Sequence, residues 1–302
     1  MSTLLQSVVW YRFRRDGVAQ AALLLFVLFA LAAAMAGWIS PYNPYDPLQI
    51  DVMDAEIPPA WEAGGDQRFM LGTDAQGRDL LSAALYGMRI SIIIGIFAVL
   101  LQAALGVSIG LLAGYAGGRI DAALMRISDI QLSFSSFMVA IVALAVFQAL
   151  FGVTRYEELA PYMLVLVIGV SEWPQYARAV RAVTLAEKEK DYVAAARVSG
   201  YSPGRVMFRH ILPNTMTPVL VISTVQVANA IITEASLSFL GLGMPVTRPS
   251  LGSLIHAGFE YVFSGVWWIT FFPSVVLVLL ILSVNLLGDF LRDALNPKAD
   301  KF

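Results

Sequence analysis

The chain has 302 residues, of which 58% are hydrophobic and only 14% charged, and its formal net charge is −2. A soluble protein of this composition would expose large apolar patches, so the composition excludes an ordinary soluble domain and indicates a protein of the lipid bilayer. The absence of cysteine excludes disulfides, thiolate metal ligands and a cysteine nucleophile. The small net charge provides no field that would attract nucleic acid.

Six stretches are apolar and long enough, or nearly so, to cross about 30 Å of hydrocarbon as helices. In chain order they are residues 18–38, 91–115, 134–151, 161–176, 215–240 and 269–289. The fourth is the weakest, because Glu172 and Pro174 interrupt its end. None alternates apolar and polar residues as a barrel strand does, so the sequence predicts an all-α integral membrane protein with six transmembrane helices.

The first stretch imitates a signal peptide, because Arg14 and Arg15 precede its apolar run and Ala34-Met35-Ala36 follows. It is long enough to span the bilayer, however, and five more stretches come after it. We therefore interpret it as a membrane span that is retained.

Lysine and arginine are distributed unevenly between the two sets of connecting segments, and this asymmetry sets the orientation. A cytoplasmic N-terminus places 15 of the 20 basic residues inside and leaves five outside, namely Arg68, Arg78, Arg89, Arg155 and Arg248. We therefore expect a multi-pass protein of a bacterial inner membrane with both termini cytoplasmic. The segment from residue 41 to 78, which is rich in aspartate and glutamate, is then periplasmic.

The expected organisation has three parts. Residues 1–90 hold the first helix and the acidic periplasmic segment, residues 91–289 form a core of five helices with a cytoplasmic loop at 177–213, and residues 290–302 form a cytoplasmic tail. In the second span, Gly106, Gly110 and Gly114 form a small-xxx-small ladder on one helix face. We interpret this ladder as a helix-packing seam rather than a substrate contact.

The loop at 177–213 reads as two short helices around a hinge. Alanines favour the first helix, and Gly200 can adopt the left-handed conformation that ends it. Ser202 and Pro203 suit the start of the second helix, and Pro213 limits its continuation into the membrane.

On the first of these helices, Tyr192, Ala195, Ala196 and Ser199 are expected to share one face. A face this small and smooth suits a groove in another protein. The alternative is a helix resting on lipid headgroups, but such a helix normally carries bulky Trp, Phe or Leu.

Glu234 is the carboxylate that lies most clearly inside a predicted span, where a charge is costly unless it is partnered or hydrated. Two interpretations stay open: a residue of a translocation path or gate, and a structural hydrogen bond to a neighbouring helix. His256 and Glu260 share an outward helical face, but two residues are too few to indicate a metal site.

The cytoplasmic loop resembles the EAA loop of ABC importer permeases, whose pattern is Glu-Ala-Ala, three residues, Gly, nine residues and Ile-x-Leu-Pro. Ala195-Ala196, Gly200 and Leu212-Pro213 match at the same spacing, whereas Ala194 replaces the glutamate and His210 the isoleucine. The missing carboxylate removes any ionic contact that this position makes to an ATPase, but the spacing that docking requires is intact. The positions that the resemblance assigns to ATPase coupling are Tyr192, Ala195, Ala196, Gly200, Arg205, Arg209, Leu212 and Pro213.

Further motifs are similar to those of the C-type permeases of the dipeptide/oligopeptide/nickel group. They are Pro58-Pro59-Ala60-Trp61, Leu71-Gly72-Thr73-Asp74 with Gly77-Arg78-Asp79, the run from Glu234 to Gly243, and the run from Asn285 to Pro297. Together with Tyr86-Gly87-Met88-Arg89-Ile90-Ser91, these motifs cover the chain from about residue 40 to 298.

The resemblance implies a type I ABC importer permease fold, a homologous B-type permease partner, two cytoplasmic ABC ATPases and a periplasmic substrate-binding protein. It implies no cofactor in this chain, because ATP and Mg²⁺ are bound by the ATPases. No G-x-x-x-x-G-K-[ST] motif is present, which agrees with a non-catalytic membrane subunit.

Peptides are the commonest cargo of the group, and nickel complexes, glutathione and other small solutes are the alternatives. An ion-coupled secondary transporter is the rival of a different class, but it would normally show more spans and several intramembrane ionisable residues. A second rival is a channel, which would pass solute without an ATPase or a binding protein. A third is an intramembrane enzyme, but no paired catalytic groups stand on facing spans.

Overall fold

The computed structural model describes residues 10–295, and the regular secondary structure within them is helical, whereas residues 40–79 are largely irregular. One isolated β-bridge joins Thr73 to Asp79, and the described residues contain no strand. The longer helices are, in order, Gly17–Ala34, Leu80–Ala116, Gly118–Leu132, Ser136–Phe151, Val153–Ser171, Trp173–Glu187, Asp191–Val198, Leu212–Phe239, Leu251–Phe259 and Trp268–Ala294. The prediction of an all-α protein is confirmed.

Four helices in the described range are long and apolar enough to cross a bilayer: Gly17–Ala34, Leu80–Ala116, Pro203–Phe239 and Trp268–Ala294. Gly118–Leu132 and Ser136–Phe151 form a fifth candidate as a pair, although they are bent by 84° at the break between them. The structure therefore contains four, or up to five, candidate spans where the sequence predicts six.

The difference arises mainly at the fourth predicted span, residues 161–176. This stretch is divided between Val153–Ser171 and Trp173–Glu187 by a break at Glu172, and Pro174 stands at the start of the second helix. The first two turns of Val153–Ser171 also carry Arg155, Glu157 and Glu158. Only the second half of that helix is continuously apolar, and about 11 helical residues cover only about 16 Å.

The central helix, Leu80–Ala116, begins earlier than the predicted residue 91. It starts at Leu80 because the Asp79 carboxylate caps it by accepting a hydrogen bond from the Ser82 amide at 2.8 Å. Its 37 residues extend about 55 Å, which exceeds the thickness of the hydrocarbon. The helix also runs unbroken through the expected boundary between residues 90 and 91.

The boundary expected between residues 289 and 290 likewise falls inside a helix, Trp268–Ala294. Residues 296–302, which include Asn296, Pro297, Lys298 and Lys301, and residues 1–9 lie outside the described range.

The central helix and the crossing helix, Trp173–Glu187, approach each other at the three glycines of the ladder. A Cβ atom added at Gly106 would lie 2.3 Å from Tyr176 Cβ, and one at Gly110 would lie 2.4 Å from the Ala177 carbonyl oxygen. At Gly114 the added atom would lie 2.7 Å from Thr184 Cβ. Real Cβ atoms do not come this close to a neighbour, so the seam between these helices accepts only glycine.

The first predicted span is a helix that packs into the bundle. Asp16 caps it by accepting hydrogen bonds from the amides of Val18 and Ala19, both at 3.0 Å. Near its other end, Ala33 is buried in an apolar cluster with Met88 of the central helix and Leu280 of Trp268–Ala294. This helix is therefore an integrated part of the fold.

At one end of the bundle, segments that the sequence places outside the membrane are bonded to one another. The Trp268 indole donates to the Thr73 carbonyl at 3.1 Å, and the Arg78 guanidinium donates to the Val246 carbonyl at 2.7 Å. The pairs lie 195 and 168 residues apart in the chain. These bonds fasten the acidic segment over the ends of the last two long helices.

At the other end of the bundle, segments predicted to be cytoplasmic are joined by an ion pair and a hydrogen bond. Arg181 forms an ion pair with Asp121 with a 2.6 Å contact, and Arg12 donates to the Asp293 carbonyl at 3.1 Å. Each of these contacts thus joins two segments that are expected on the same side of the membrane.

The glycine seam can be tested with Gly110→Ala. The added methyl group would lie against the Ala177 backbone, and such overpacking typically costs about 1–3 kcal/mol. We expect a lower Tm for the purified protein in detergent. Gly17→Ala is the matched control, because its added Cβ meets nothing within 4 Å and alanine is the better helix former. An unchanged Tm for Gly110→Ala would contradict the close approach of the two helices.

Candidate functional site

The loop between the crossing helix and Leu212–Phe239 folds around a short helix, Asp191–Val198, here called the loop helix. The helix ends at Ser199, whose amide bonds back to the Ala195 carbonyl at 2.9 Å. Gly200 follows with φ of +77°, the left-handed conformation that the sequence predicts there. Ser202 then caps the next helix, since its hydroxyl accepts a long hydrogen bond, 3.4 Å, from the Arg205 amide. The chain therefore turns sharply at Gly200.

A polar network anchors the loop helix to the bundle. The Tyr192 hydroxyl donates to Glu187 Oε2 at 2.6 Å and accepts from Asn214 Nδ2 at 3.0 Å. Burial, together with the hydrogen bond to the Glu187 carboxylate, raises the pKa of Tyr192 to about 12, so its hydroxyl stays protonated at neutral pH. The loop helix is thus bonded to the end of the crossing helix and to the start of Leu212–Phe239.

Glu187 is held as an anion by its neighbours. Burial alone would raise the pKa of Glu187, but hydrogen bonds from Lys190 Nζ, at 2.6 Å, and from Tyr192 hold this pKa below its usual value. Glu187 and Asn214 are not predicted by the sequence. No regular spacing connects positions 187, 192 and 214, and the only signal is a polar asparagine directly after Pro213.

The predicted docking face needs correction. Ala196 is only 5% exposed and packs with Val193, Val206 and Ile211 in an apolar cluster. It faces the bundle because Val193, three residues earlier on the same helical face, is the larger apolar group and draws that face inward. Ala196 therefore supports the loop helix from beneath.

The exposed face of the loop helix is formed instead by Tyr192, Ala195, Val198 and Ser199. Val198 is 90% exposed, and Tyr201 and Phe208, which follow the turn, are also exposed. An apolar surface of this kind on a polar end of the molecule is typical of a protein-docking site.

The second short helix of the loop is continuous with the following span, which differs from the prediction. Helical structure runs from Pro203 to Phe239 and passes through Pro213 without ending. Residues Val206–Ile211 are π-helical, and this wider turn accommodates a proline, which lacks the amide that an α-helical ladder needs.

The remaining predicted coupling residues lie along this continuous helix. Arg205 and Arg209 are exposed, and the Arg205 guanidinium lies 5.3 Å from the centre of the Tyr201 ring. Leu212 is partly buried and Pro213 is exposed. Of the eight predicted positions, Ala196 is the one that the fold turns fully inward.

Glu234 lies at the junction of three helices and is fully buried. Its carboxylate accepts hydrogen bonds from the hydroxyls of Ser91, on the central helix, and Ser238, one turn further along its own helix, both at 2.7 Å. Ser250, which caps Leu251–Phe259, is a further hydrogen-bond partner. This arrangement favours the structural interpretation of Glu234, because every contact of its carboxylate is to the protein interior.

A buried ion pair at the opposite end of the molecule was not expected. Arg78 Nε contacts Asp74 Oδ2 at 2.6 Å, and both side chains are about 2% exposed. The Asp74 carboxylate also accepts from the amides of Gln76 and Arg78. Since the paired groups make further hydrogen bonds, Arg78 to the Val246 carbonyl and Asp74 to two backbone amides, the pair fixes the turn that leads into the central helix.

The chain resembles known transport proteins along most of its length. Residues 106–301 match the family described as "Binding-protein-dependent transport system inner membrane component". Residues 3–59 match the "N-terminal TM domain of oligopeptide transport permease C".

Individual relatives agree with these matches. The chain is 38% identical over 243 residues to the "Di/tripeptide transport system permease protein DppC" of Pseudomonas aeruginosa, covering 80% of this chain and 76% of the relative. It is 40% identical to the "Dipeptide transport system permease protein DppC" of Haemophilus influenzae, and the match covers 80% of this chain and 78% of the relative. It is 38% identical to the protein of the same name from Escherichia coli K12, and the match covers 80% of this chain and 77% of the relative.

These similarities are high enough, and extend far enough, to identify the family. The apolar helices, the loop that follows the crossing helix and the matched ranges agree with one another. The chain is a multi-pass inner-membrane protein and belongs to the family of binding-protein-dependent transport system inner membrane components.

Proposed function

We propose that this chain is the permease subunit of an ATP-driven importer that moves di- or oligopeptides from the periplasm to the cytoplasm. The observation that carries the proposal is the anchored loop helix in a chain of this family. An ATPase that pushes on this helix would move the transmembrane core with it, since Tyr192 bonds the helix to residues of two long helices. The dipeptide cargo of the relatives supports the substrate class.

Four partners follow from this role. Two cytoplasmic ABC ATPases bind and hydrolyse ATP with Mg²⁺, a homologous B-type permease completes the translocation path, and a periplasmic protein delivers the peptide. This chain contributes no ATP-binding motif and therefore depends on the ATPases for energy. The exposed residues Tyr192, Ala195 and Val198, with Tyr201 and Phe208 beyond the turn, form the proposed ATPase-docking surface.

We further propose that the chain crosses the membrane six times with both termini in the cytoplasm. Ser136–Phe151 and the second half of Val153–Ser171 would then be short spans that depend on packing against their neighbours. Burial of Leu144, Leu164 and Ile168 in one apolar cluster supports this arrangement. Gly118–Leu132, which carries Asp121 and Asp129, would lie along the cytoplasmic surface.

Glu234 is proposed as a structural cross-link between helices rather than as a contact for the transported solute. Its hydrogen bonds to Ser91 and Ser238 satisfy both carboxylate oxygens, and it is enclosed by protein. A polar group that loses its partner in such a place typically costs about 1–3 kcal/mol.

The coupling role of the loop is tested by Gly200→Val. A side chain at this φ should cost about 1–2 kcal/mol in backbone strain, although its Cβ would meet nothing within 4 Å. We expect the turn to shift, co-purification of the ATPases to weaken and substrate-stimulated ATP hydrolysis in proteoliposomes to disappear. Insertion and yield should be unchanged, because the loop lies outside the bilayer.

Two control variants sharpen this test. Gly204→Ala also places its Cβ in open space but has no positive φ, so it should behave as wild type. Gly200→Asn should retain most activity, because asparagine tolerates the left-handed conformation. Wild-type stimulation in Gly200→Val would refute the coupling account, and peptide uptake that persists without ATP while a membrane potential is held would favour the secondary transporter.

The role of Glu234 is tested by a double-mutant cycle with Glu234→Gln and Ser91→Ala. For a structural cross-link, we expect each variant to lower the Tm of the assembled complex, and their effects to be less than additive because they remove the same hydrogen bond. An unchanged Tm combined with a clear loss of uptake in Glu234→Gln would instead support the translocation-path interpretation.

The orientation is tested with a single cysteine at Leu48, which is 95% exposed in the acidic segment. The chain has no cysteine of its own, so Leu48→Cys gives an unambiguous signal. We expect labelling by a membrane-impermeant maleimide in intact cells with a permeabilised outer membrane. Arg119→Cys, an exposed position on the helix proposed to lie along the cytoplasmic surface, is the control and should react only after lysis. The reverse pattern would overturn the proposed orientation.

A further inference from the structure

A cavity of about 710 Å³ opens at the end of the bundle that carries the acidic segment. Its polar wall is formed by Tyr45, Glu157, Glu158, Thr247 and Arg248. These residues come from three separate segments, all of which the sequence places on the periplasmic side. Cavities of about 300–1,000 Å³ are the usual size for sites that bind small molecules.

The charged residues of this wall are not neutralised within the protein. Among residues 10–295, no ion pair shorter than 4.0 Å involves Glu157, Glu158 or Arg248, and no hydrogen bond to their side chains is found. The neighbouring Arg78, in contrast, is fully paired with Asp74. Two carboxylates and one guanidinium therefore line the same cavity with their charges available to a ligand.

The Tyr45 hydroxyl is a second polar group without a partner. It is buried, and none of the described residues forms a hydrogen bond with it. Burial is the main cause that raises the pKa of Tyr45, so the phenol remains a hydrogen-bond donor. Arg248 acts on it electrostatically and opposes this rise. A protonated donor beside a guanidinium is suited to an anionic oxygen such as a carboxylate.

The negative charge in the cavity wall is supplied by Glu157 and Glu158, which are successive residues near the start of Val153–Ser171. Carboxylates are acceptors only, and these two find no donor in the described part of the chain, so a ligand ammonium group suits them. Between the two polar regions the cavity is lined by apolar side chains, including Ile90, Ile94 and Met244. Such a surface can contact the side chains of a ligand without selecting among them.

We propose that this cavity is a receiving site for a zwitterionic peptide, in which Glu157 and Glu158 bind the peptide ammonium group while Arg248 and Tyr45 bind its carboxylate. In a dipeptide these termini are at most about 7 Å apart, because each extended residue covers about 3.5 Å. The inference rests on the proposed function, and it adds a substrate-binding role for this subunit.

The test measures binding directly and does not depend on transport. Thr247→Cys places a single reactive group in this chain at the wall of the cavity. The assembled complex, in nanodiscs and without binding protein or ATP, is labelled with a maleimide, and modification of this chain is followed by mass spectrometry. Dialanine, N-acetyl-dialanine and dialanine amide are compared as protecting ligands at increasing concentration.

We expect dialanine to protect the cysteine at a concentration about tenfold lower than either blocked analogue, which is the usual size of one lost charged hydrogen bond. Combining Glu157→Gln with Glu158→Gln should abolish the preference for a free ammonium group alone. Arg248→Gln should abolish only the preference for a free carboxylate and leave the preference for a free ammonium group intact. Arg248→Lys should retain part of the carboxylate preference, and Tyr45→Phe should weaken the carboxylate preference. Arg155→Gln and Glu260→Gln, which are exposed and do not line the cavity, are the matched controls and should change neither preference.

Equal protection by all three compounds, or no protection at any concentration, would overturn the proposal. So would protection by the periplasmic binding protein without peptide, because the cavity would then be a protein-docking surface. Uptake by the same complex in proteoliposomes is measured separately. If dialanine protects selectively but no peptide is taken up, the proposed function fails while the binding site stands; if uptake is normal without protection, the binding site alone fails.

Discussion

Close contact between two helix backbones organises this molecule. The crossing helix can lie against the central helix only because Gly106, Gly110 and Gly114 leave no side chain between them. The contact continues beyond the glycines, where Lys188 donates to the Gly114 carbonyl at 3.2 Å. It thereby places the end of the crossing helix, and the loop helix that follows, directly beneath the core. From its opposite end the same central helix supports the acidic segment through the cap at Asp79.

Much of this arrangement was accessible from the sequence because it follows from local rules. Apolar length predicts the strongest spans, the four-residue spacing of glycines predicts the seam, and the turn at Gly200 follows from its position between a helix and a Ser-Pro pair. The positive φ of Gly200 agrees with that reasoning. Each of these features depends on residues that are close together in the chain.

The features that could not be predicted from the sequence depend on residues that are far apart along the chain. Ser91 and Glu234 are 143 positions apart, and the cavity is assembled from four separate segments, so no local pattern indicates either. The inward orientation of Ala196 was missed because alanine is compatible with both faces of a helix. The interruption at Glu172 and Pro174 was visible in the sequence, but the passage of the helix through Pro213 was misjudged, because tertiary packing overrode the local preference of that proline.

The π-helical stretch from Val206 to Ile211 has a geometric consequence for the whole permease. Each residue of an α-helix turns the chain by about 100°, and a π-helical turn contains roughly one residue more than an α-helical turn. The stretch therefore rotates the part of this continuous helix that contacts the loop helix relative to the part that carries Glu234, by comparison with an uninterrupted α-helix. It allows the face that bears Val206 and Ile211 to meet the loop helix while Glu234 still points to Ser91. A strictly α-helical connection of the same length would satisfy only one of these two alignments.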